Sequence, residues 1–121
     1  MLNKRIKTTG MEITPAISEY VHKKIDVLEK FIEADRVALA EVEIGRTTNH
    51  HHKGDVYKAE INFTLEKDTF RAVAIQSDLY VAIDVMKDNV VQEVTKAKKK
   101  RFVLFRKGQQ KIKDALKKIR G

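Results

Sequence analysis

Three adjacent histidines, His50, His51 and His52, followed by Asp55, are the one cluster in these 121 residues whose side-chain types could hold a metal ion or move a proton. Their spacing argues against a metal site. Neighbouring positions in a loop do not by themselves converge on one ion, the chain has no cysteine, and no helical His-x-x-x-His supports them. A polar loop is the better reading, and near phosphates its histidines would protonate and add pH-dependent affinity. His22 falls on the polar side of a helix and is assigned no chemistry. Gly10, Gly45, Gly54, Gly108 and Gly121 stand alone, so there is no glycine-rich phosphate loop. Ser18 and Ser77 lack the context of a nucleophile elbow, and the carboxylates are too dispersed to nominate an acid/base pair. No catalytic residue, cofactor or metal is expected, and the chain does not read as an enzyme.

Lysine and arginine offer a different chemistry, the binding of phosphate. The net charge is +8, and its placement matters more than its size. Residues 1–77 hold 12 basic and 12 acidic side chains; from Lys96 onward there are 12 basic residues against one acid, Asp114. So lopsided a field attracts polyanions such as RNA, DNA or an anionic membrane, against the alternative of a solvated tail kept for solubility. Lys96, Lys98, Lys99, Lys100 and Arg101 wrap around more than one helical turn, so they cannot all face one row of phosphates. Lys87 and Lys98 are eleven residues apart and share an angular position on a helix. Tyr80 lies on that flank, where local packing is the simpler reading than stacking on a base.

These charges need elements to position them. Leu79, Ile83, Met86, Val90, Val94 and Ala97 recur at spacings of three and four, predicting a helix from Ser77 to Arg101 with Ser77 or Asp78 capping its start. Thr14-Pro15 is a second helix start, and Ile17, Val21, Ile25, Leu28 and Ile32 extend its apolar stripe to about Ile32. Lys23 and Lys30 project from the polar side of that helix, while Lys24, at the stripe's edge, can lay its stem over the core. Strands are predicted at Leu2–Thr9, Arg36–Gly45, Tyr57–Leu65 and Phe70–Gln76, with a polar loop at 46–54 and a turn at Glu66–Thr69. The first strand suits an edge, where its lysines discourage unwanted pairing, and short links make the last three antiparallel.

The order β-α-β-β-β-α, with one apolar stripe per helix, predicts an α+β two-layer sandwich: a four-stranded sheet carrying both helices on one face. Lys58, Glu60 and Thr64 are then left on the watery face. Side by side, the helices would gather Lys23, Lys24 and Lys30 with the basic end of the last helix in one groove. Beyond Arg101 come Phe102–Phe105, then Gly108, expected to interrupt the helix, then a short basic amphipathic segment with Ile112, Ala115, Leu116 and Ile119. This extension, 102–121, is set apart from a domain at 1–101 and expected to be mobile until bound. No apolar run spans a bilayer and the N-terminus lacks a signal-peptide core, so a cytoplasmic monomer is expected.

Three segments, Met11-Glu12-Ile13-Thr14-Pro15-Ala16-Ile17, His51-His52-Lys53-Gly54-Asp55-Val56-Tyr57 and Asp78-Leu79-Tyr80-Val81-Ala82-Ile83-Asp84, closely resemble, in order and spacing, the ribosome hibernation promoting factor and ribosome-associated inhibitor A family over residues 2–101. The resemblance implies the same β-α-β-β-β-α fold, which is similar to that of double-stranded-RNA-binding domains. It also implies binding to the small ribosomal subunit and its 16S-type rRNA, in the channel where messenger and transfer RNA sit, to block translation in stress or stationary phase. Carried onto this chain, the rRNA-facing residues are Lys23, Lys24, Lys30, Lys87, Lys96, Lys98, Lys99, Lys100 and Arg101. Long members add a dimerising domain, so a chain ending at Gly121 resembles the short type. Two rivals stand beside it. A general double-stranded RNA binder would start its last helix with lysines, where this chain has Ser77-Asp78-Leu79; a membrane-surface or partner module would act through the basic tail.

Overall fold

The computed structural model describes residues 1–47 and 56–120. Strand β1 (Leu2–Thr9) leads through helix α1 (Pro15–Ile25) and a 3₁₀ segment (Asp26–Phe31) to β2 (Ala38–Thr47); β3 (Val56–Leu65), β4 (Asp68–Gln76) and helix α2 (Leu79–Arg120) follow. The sheet order is β1-β2-β3-β4, with β1 parallel to β2 and the other pairs antiparallel. A parallel pair needs a crossover, and α1 provides it. This is the expected α+β two-layer sandwich.

Strand alternation explains the core. Ala38, Ala40, Val42 and Ile44 of β2, Ala59, Ile61 and Phe63 of β3, and Ala72 and Ala74 of β4 turn to one face and are buried. Five of these nine are alanines, leaving room for the larger side chains of the helices. Val21 and Ile25 of α1, Leu28 of the 3₁₀ segment, and Ile83, Met86, Val90 and Val94 of α2 fill that space. Burying each such side chain contributes roughly 1.5–3 kcal/mol. Among the described residues no polar or charged side chain is buried. On the open face, Glu60 is clasped by Arg71 at 2.6 Å and Lys58 at 3.6 Å.

Three local features differ from the sequence reading. The first helix keeps α geometry only to Ile25 and tightens into 3₁₀ to Phe31. The apolar spacing changes there from four (Ile17, Val21, Ile25) to three (Ile25, Leu28, Phe31), which matches three residues per turn. The β3–β4 hairpin turns on two residues, Glu66 and Lys67, with Glu66 at φ 58°. Third, Gly108 does not interrupt the last helix: α2 runs unbroken for 42 residues. An interior glycine costs about 1 kcal/mol relative to alanine, which a helix already nucleated on the sheet absorbs. Gln110 also donates to Asp114 one turn on, at 3.1 Å. Residues 102–118 are exposed throughout, so the end of α2 projects beyond the sheet by about 28 Å at 1.5 Å per residue.

Candidate nucleic-acid interface

Both helices begin as their sequences dictate. The Thr14 hydroxyl accepts the Ile17 N–H at 3.2 Å, with Pro15 in the first turn. Asp78 caps α2, its Oδ1 accepting from the N–H groups of Tyr80 (2.8 Å) and Val81 (3.1 Å). The helices then lie side by side and are stitched at two levels. Near the start of α2, the Tyr20 hydroxyl donates to Asp84 Oδ1 at 2.6 Å and Lys24 Nζ reaches the same oxygen at 3.2 Å. Further along, Lys98 Nζ donates to the Phe31 carbonyl at 3.0 Å. The contacts occur in the same order along both segments, α1 with its 3₁₀ extension and α2, so the helices run in the same sense and share one long seam.

The charges at the seam interact. Burial pushes the Asp84 carboxyl up, but the Tyr20 hydrogen bond, the Lys24 ammonium and the charge of Lys87 outweigh it and hold the group below the ordinary carboxylate range. The same carboxylate pushes the Tyr20 phenol up to about 12, mainly through their hydrogen bond. Lys24 also stands 5.2 Å over the Tyr20 ring, and Tyr20 meets Tyr80 edge-on at 4.8 Å. At the far end, Lys30 (5.2 Å) and Lys98 (5.8 Å) converge on the ring of Phe31.

The eight lysines and one arginine expected to face RNA therefore separate into sets. Lys24, Lys30, Lys87 and Lys98 line the seam, with Lys23 exposed beside Lys24. Lys24 is less free than expected, because its ammonium is paired with Asp84, and Lys87 contacts Asp88 at 2.5 Å. Lys99 and Lys100 are exposed without a partner among the described residues, turned from Lys98 by about 100° and 200° at 3.6 residues per turn. Lys96 reaches Glu93 at 3.9 Å, and Arg101 is tied to Asp68 at the foot of β4. Phe31 and Tyr20, which organise these cations, were not singled out by sequence; the three-residue spacing ending at Phe31 was the available signal.

Tyr80 packs locally, as expected, yet keeps part of its ring exposed. His50–His52 and Asp55 lie outside the described residues. Among the described residues no group of histidine, cysteine, aspartate or glutamate side chains could hold a metal ion, and no helix is long and apolar enough to cross a membrane.

A two-layer β-α-β-β-β-α sandwich with a cationic helix seam places the chain in a class of known proteins. Residues 5–101 match the sigma 54 modulation protein / S30EA ribosomal protein family, and the chain belongs to that family. It is 30% identical over 98 residues to a ribosome hibernation promotion factor of Staphylococcus aureus (strain COL), a match covering 81% of this chain and 49% of the relative, so the chain spans about half that protein's length. It also resembles the crystal structure of the Thermus thermophilus Protein Y N-terminal domain, with a TM-score of 0.65 and 28% identity, over 79% of this chain and 98% of that one. A ribosomal subunit interface protein from Coxiella burnetii shares the fold at a TM-score of 0.62 and 21% identity, covering 81% and 98%.

Proposed function

We propose that this chain is a cytoplasmic ribosome hibernation factor that binds the small subunit in the messenger and transfer RNA channel and blocks translation by occlusion rather than catalysis. The observation that carries this reading is the cationic seam, where Lys23 of α1, Lys30 of the 3₁₀ segment, and Lys87 and Lys98 of α2 are displayed on elements locked to each other and to the sheet. A rigid surface holds its charges in place for a phosphate backbone without losing much freedom on binding. Lys96, Lys99, Lys100 and Arg101 contribute from the adjoining turns, and Lys24 contributes while shared with Asp84. The names of its relatives point the same way.

Co-sedimentation with purified ribosomes and separated subunits, with and without excess tRNA and mRNA, tests the proposal. Saturable binding to the small subunit that tRNA suppresses is the expected result; retention only on free duplex RNA or lipid would reject it. The projecting end of α2 supports a second, accessory reading. Phe102, Phe105, Ile112 and Leu116 are exposed there among lysines and arginines, a composition suited to an anionic membrane surface or to a partner. Liposome sedimentation of the full chain against a truncation after Arg101 separates that contact from ribosome binding.

A further inference from the structure

At the end of the sheet where α1 and α2 begin lies an open cleft of about 680 Å³, well away from Phe31 and the basic block. The three segments that carry the family resemblance meet in it: Glu12 from the first, Tyr57 from the second and Tyr80 from the third. Its chemistry differs from that of the seam. Two aromatic rings line it, and the Arg46 guanidinium lies 5.9 Å over the Tyr57 ring, opposite it in the β2–β3 register. The Tyr80 ring is oriented from behind by its edge-on contact with Tyr20, whose hydroxyl is pinned by Asp84. Two carboxylates also face the cleft. Asp78 spends one oxygen capping α2, whereas Glu12 is exposed and has no partner among the described residues.

Those carboxylates disfavour phosphate, while exposed aromatic rings favour a planar base. A carboxylate accepts hydrogen bonds and donates none, so it selects a base edge made of N–H donors. Guanine carries two adjacent donors, N1–H and the exocyclic amine, which match the two oxygens of one carboxylate. We infer that this cleft takes a single unstacked guanine of a single-stranded RNA, stacked on an aromatic wall and read by Glu12. This rests on the RNA-binding reading above and deepens it: the seam holds backbone without regard to sequence, and the cleft reads one base.

The test uses the full chain and fluorescence polarisation with labelled hexamers, one of uridine alone and one with a single central guanosine. The guanosine hexamer is expected to bind about tenfold tighter, within the discrimination that one bidentate contact to a base edge supplies. Glu12→Gln should remove most of that preference and leave the uridine hexamer's affinity within about twofold, whereas Tyr80→Leu should weaken both hexamers, since every base can stack and only the carboxylate distinguishes guanine. Glu12 is exposed, so its variant reads recognition even if Tyr80→Leu perturbs the fold. Equal affinity for the two hexamers, or a preference that survives Glu12→Gln, would overturn the inference. A parallel co-sedimentation with ribosomes keeps the two readings apart. Ribosome binding without hexamer discrimination removes the cleft alone, whereas discrimination without ribosome binding removes the ribosomal reading and leaves the cleft.

Discussion

The Tyr20 hydroxyl and the Asp84 carboxylate, 64 residues apart in the chain, meet at 2.6 Å across the seam between α1 and α2. That bond ties the two helices together beside Lys24 and Lys87, at a rotation their buried faces set. Tyr20→Phe removes the donor and leaves Asp84 with Lys24 alone. Urea unfolding should show a loss of about 1–2 kcal/mol, the range for a hydrogen bond to a charged group that is partly exposed.

The same pair gives the fold a pH signature. The folded Tyr20 phenol ionises near 12 rather than the ordinary 10.0, so its contribution is complete below pH 10 and is lost as pH rises through 12. Asp84 is held below its ordinary 3.8, so its contribution is present above pH 3.8 and is lost as pH falls through the lowered value. Stability measured against pH should therefore decline at both ends. Asp84→Asn should flatten the acid limb, and Tyr20→Phe should delete the highest step in the tyrosinate absorbance titration.

Charge reversals should separate binding from folding. Lys23→Glu together with Lys99→Glu alters exposed lysines without partners among the described residues and should weaken ribosome binding at moderate salt while the thermal midpoint holds. Lys24→Glu should do both kinds of damage, because it sets a second carboxylate against Asp84. If about 6–10 phosphates are contacted, wild-type affinity should fall roughly 10³- to 10⁵-fold between about 50 and 200 mM salt. A flat salt response would remove the seam as the binding surface.

Gly45 pairs with Thr9 in the parallel β1–β2 ladder, and a Cβ there would lie 2.3 Å from the Thr9 carbonyl oxygen. The obstacle is backbone and cannot swing away. Gly45→Ala should cost about 1–3 kcal/mol by denaturant unfolding, the range for overpacking. Gly108 is the opposite case, with nothing within 4 Å of an added Cβ. Gly108→Ala should raise helix content by circular dichroism, gaining up to about 1 kcal/mol locally.

At the hairpin, Glu66 occupies the left-handed region at φ 58° and reaches Arg36 at 3.6 Å. A residue with a Cβ pays about 1–2 kcal/mol there, more than an exposed ion pair returns. Glu66→Gly should stabilise the chain by about 0.5 kcal/mol after its extra unfolded-state entropy. A drop in the urea midpoint would show that the Arg36 contact outweighs the strain.

Most of the architecture was legible from local patterns. Alternation in 57–65 and three-and-four spacing in 79–97 locate their elements because side-chain direction follows from backbone geometry residue by residue. Thr14-Pro15 and Asp78 mark helix starts because a free N–H is satisfied from the next few positions. The exit of the first helix into 3₁₀ geometry and the passage of α2 through Gly108 were read less well. Each depends on packing or on neighbouring turns that outweigh the preference of a single residue.

What the sequence alone determined was therefore the set of strands and helices, the faces they bury, and the concentration of positive charge after Lys96. Period and charge count need no partner. Only the tertiary structure decided which charges are free and which are spent. Lys24 is drawn to Asp84, Arg101 to Asp68, and Lys30 and Lys98 to one phenyl ring. These contacts join residues about 30 to 70 positions apart, except for Lys30 on its neighbour Phe31. They depend on how far each helix is rotated about its axis, which the packing of Val21, Ile25, Leu28, Met86 and Val90 over a small-residue sheet sets, and no local pattern records it.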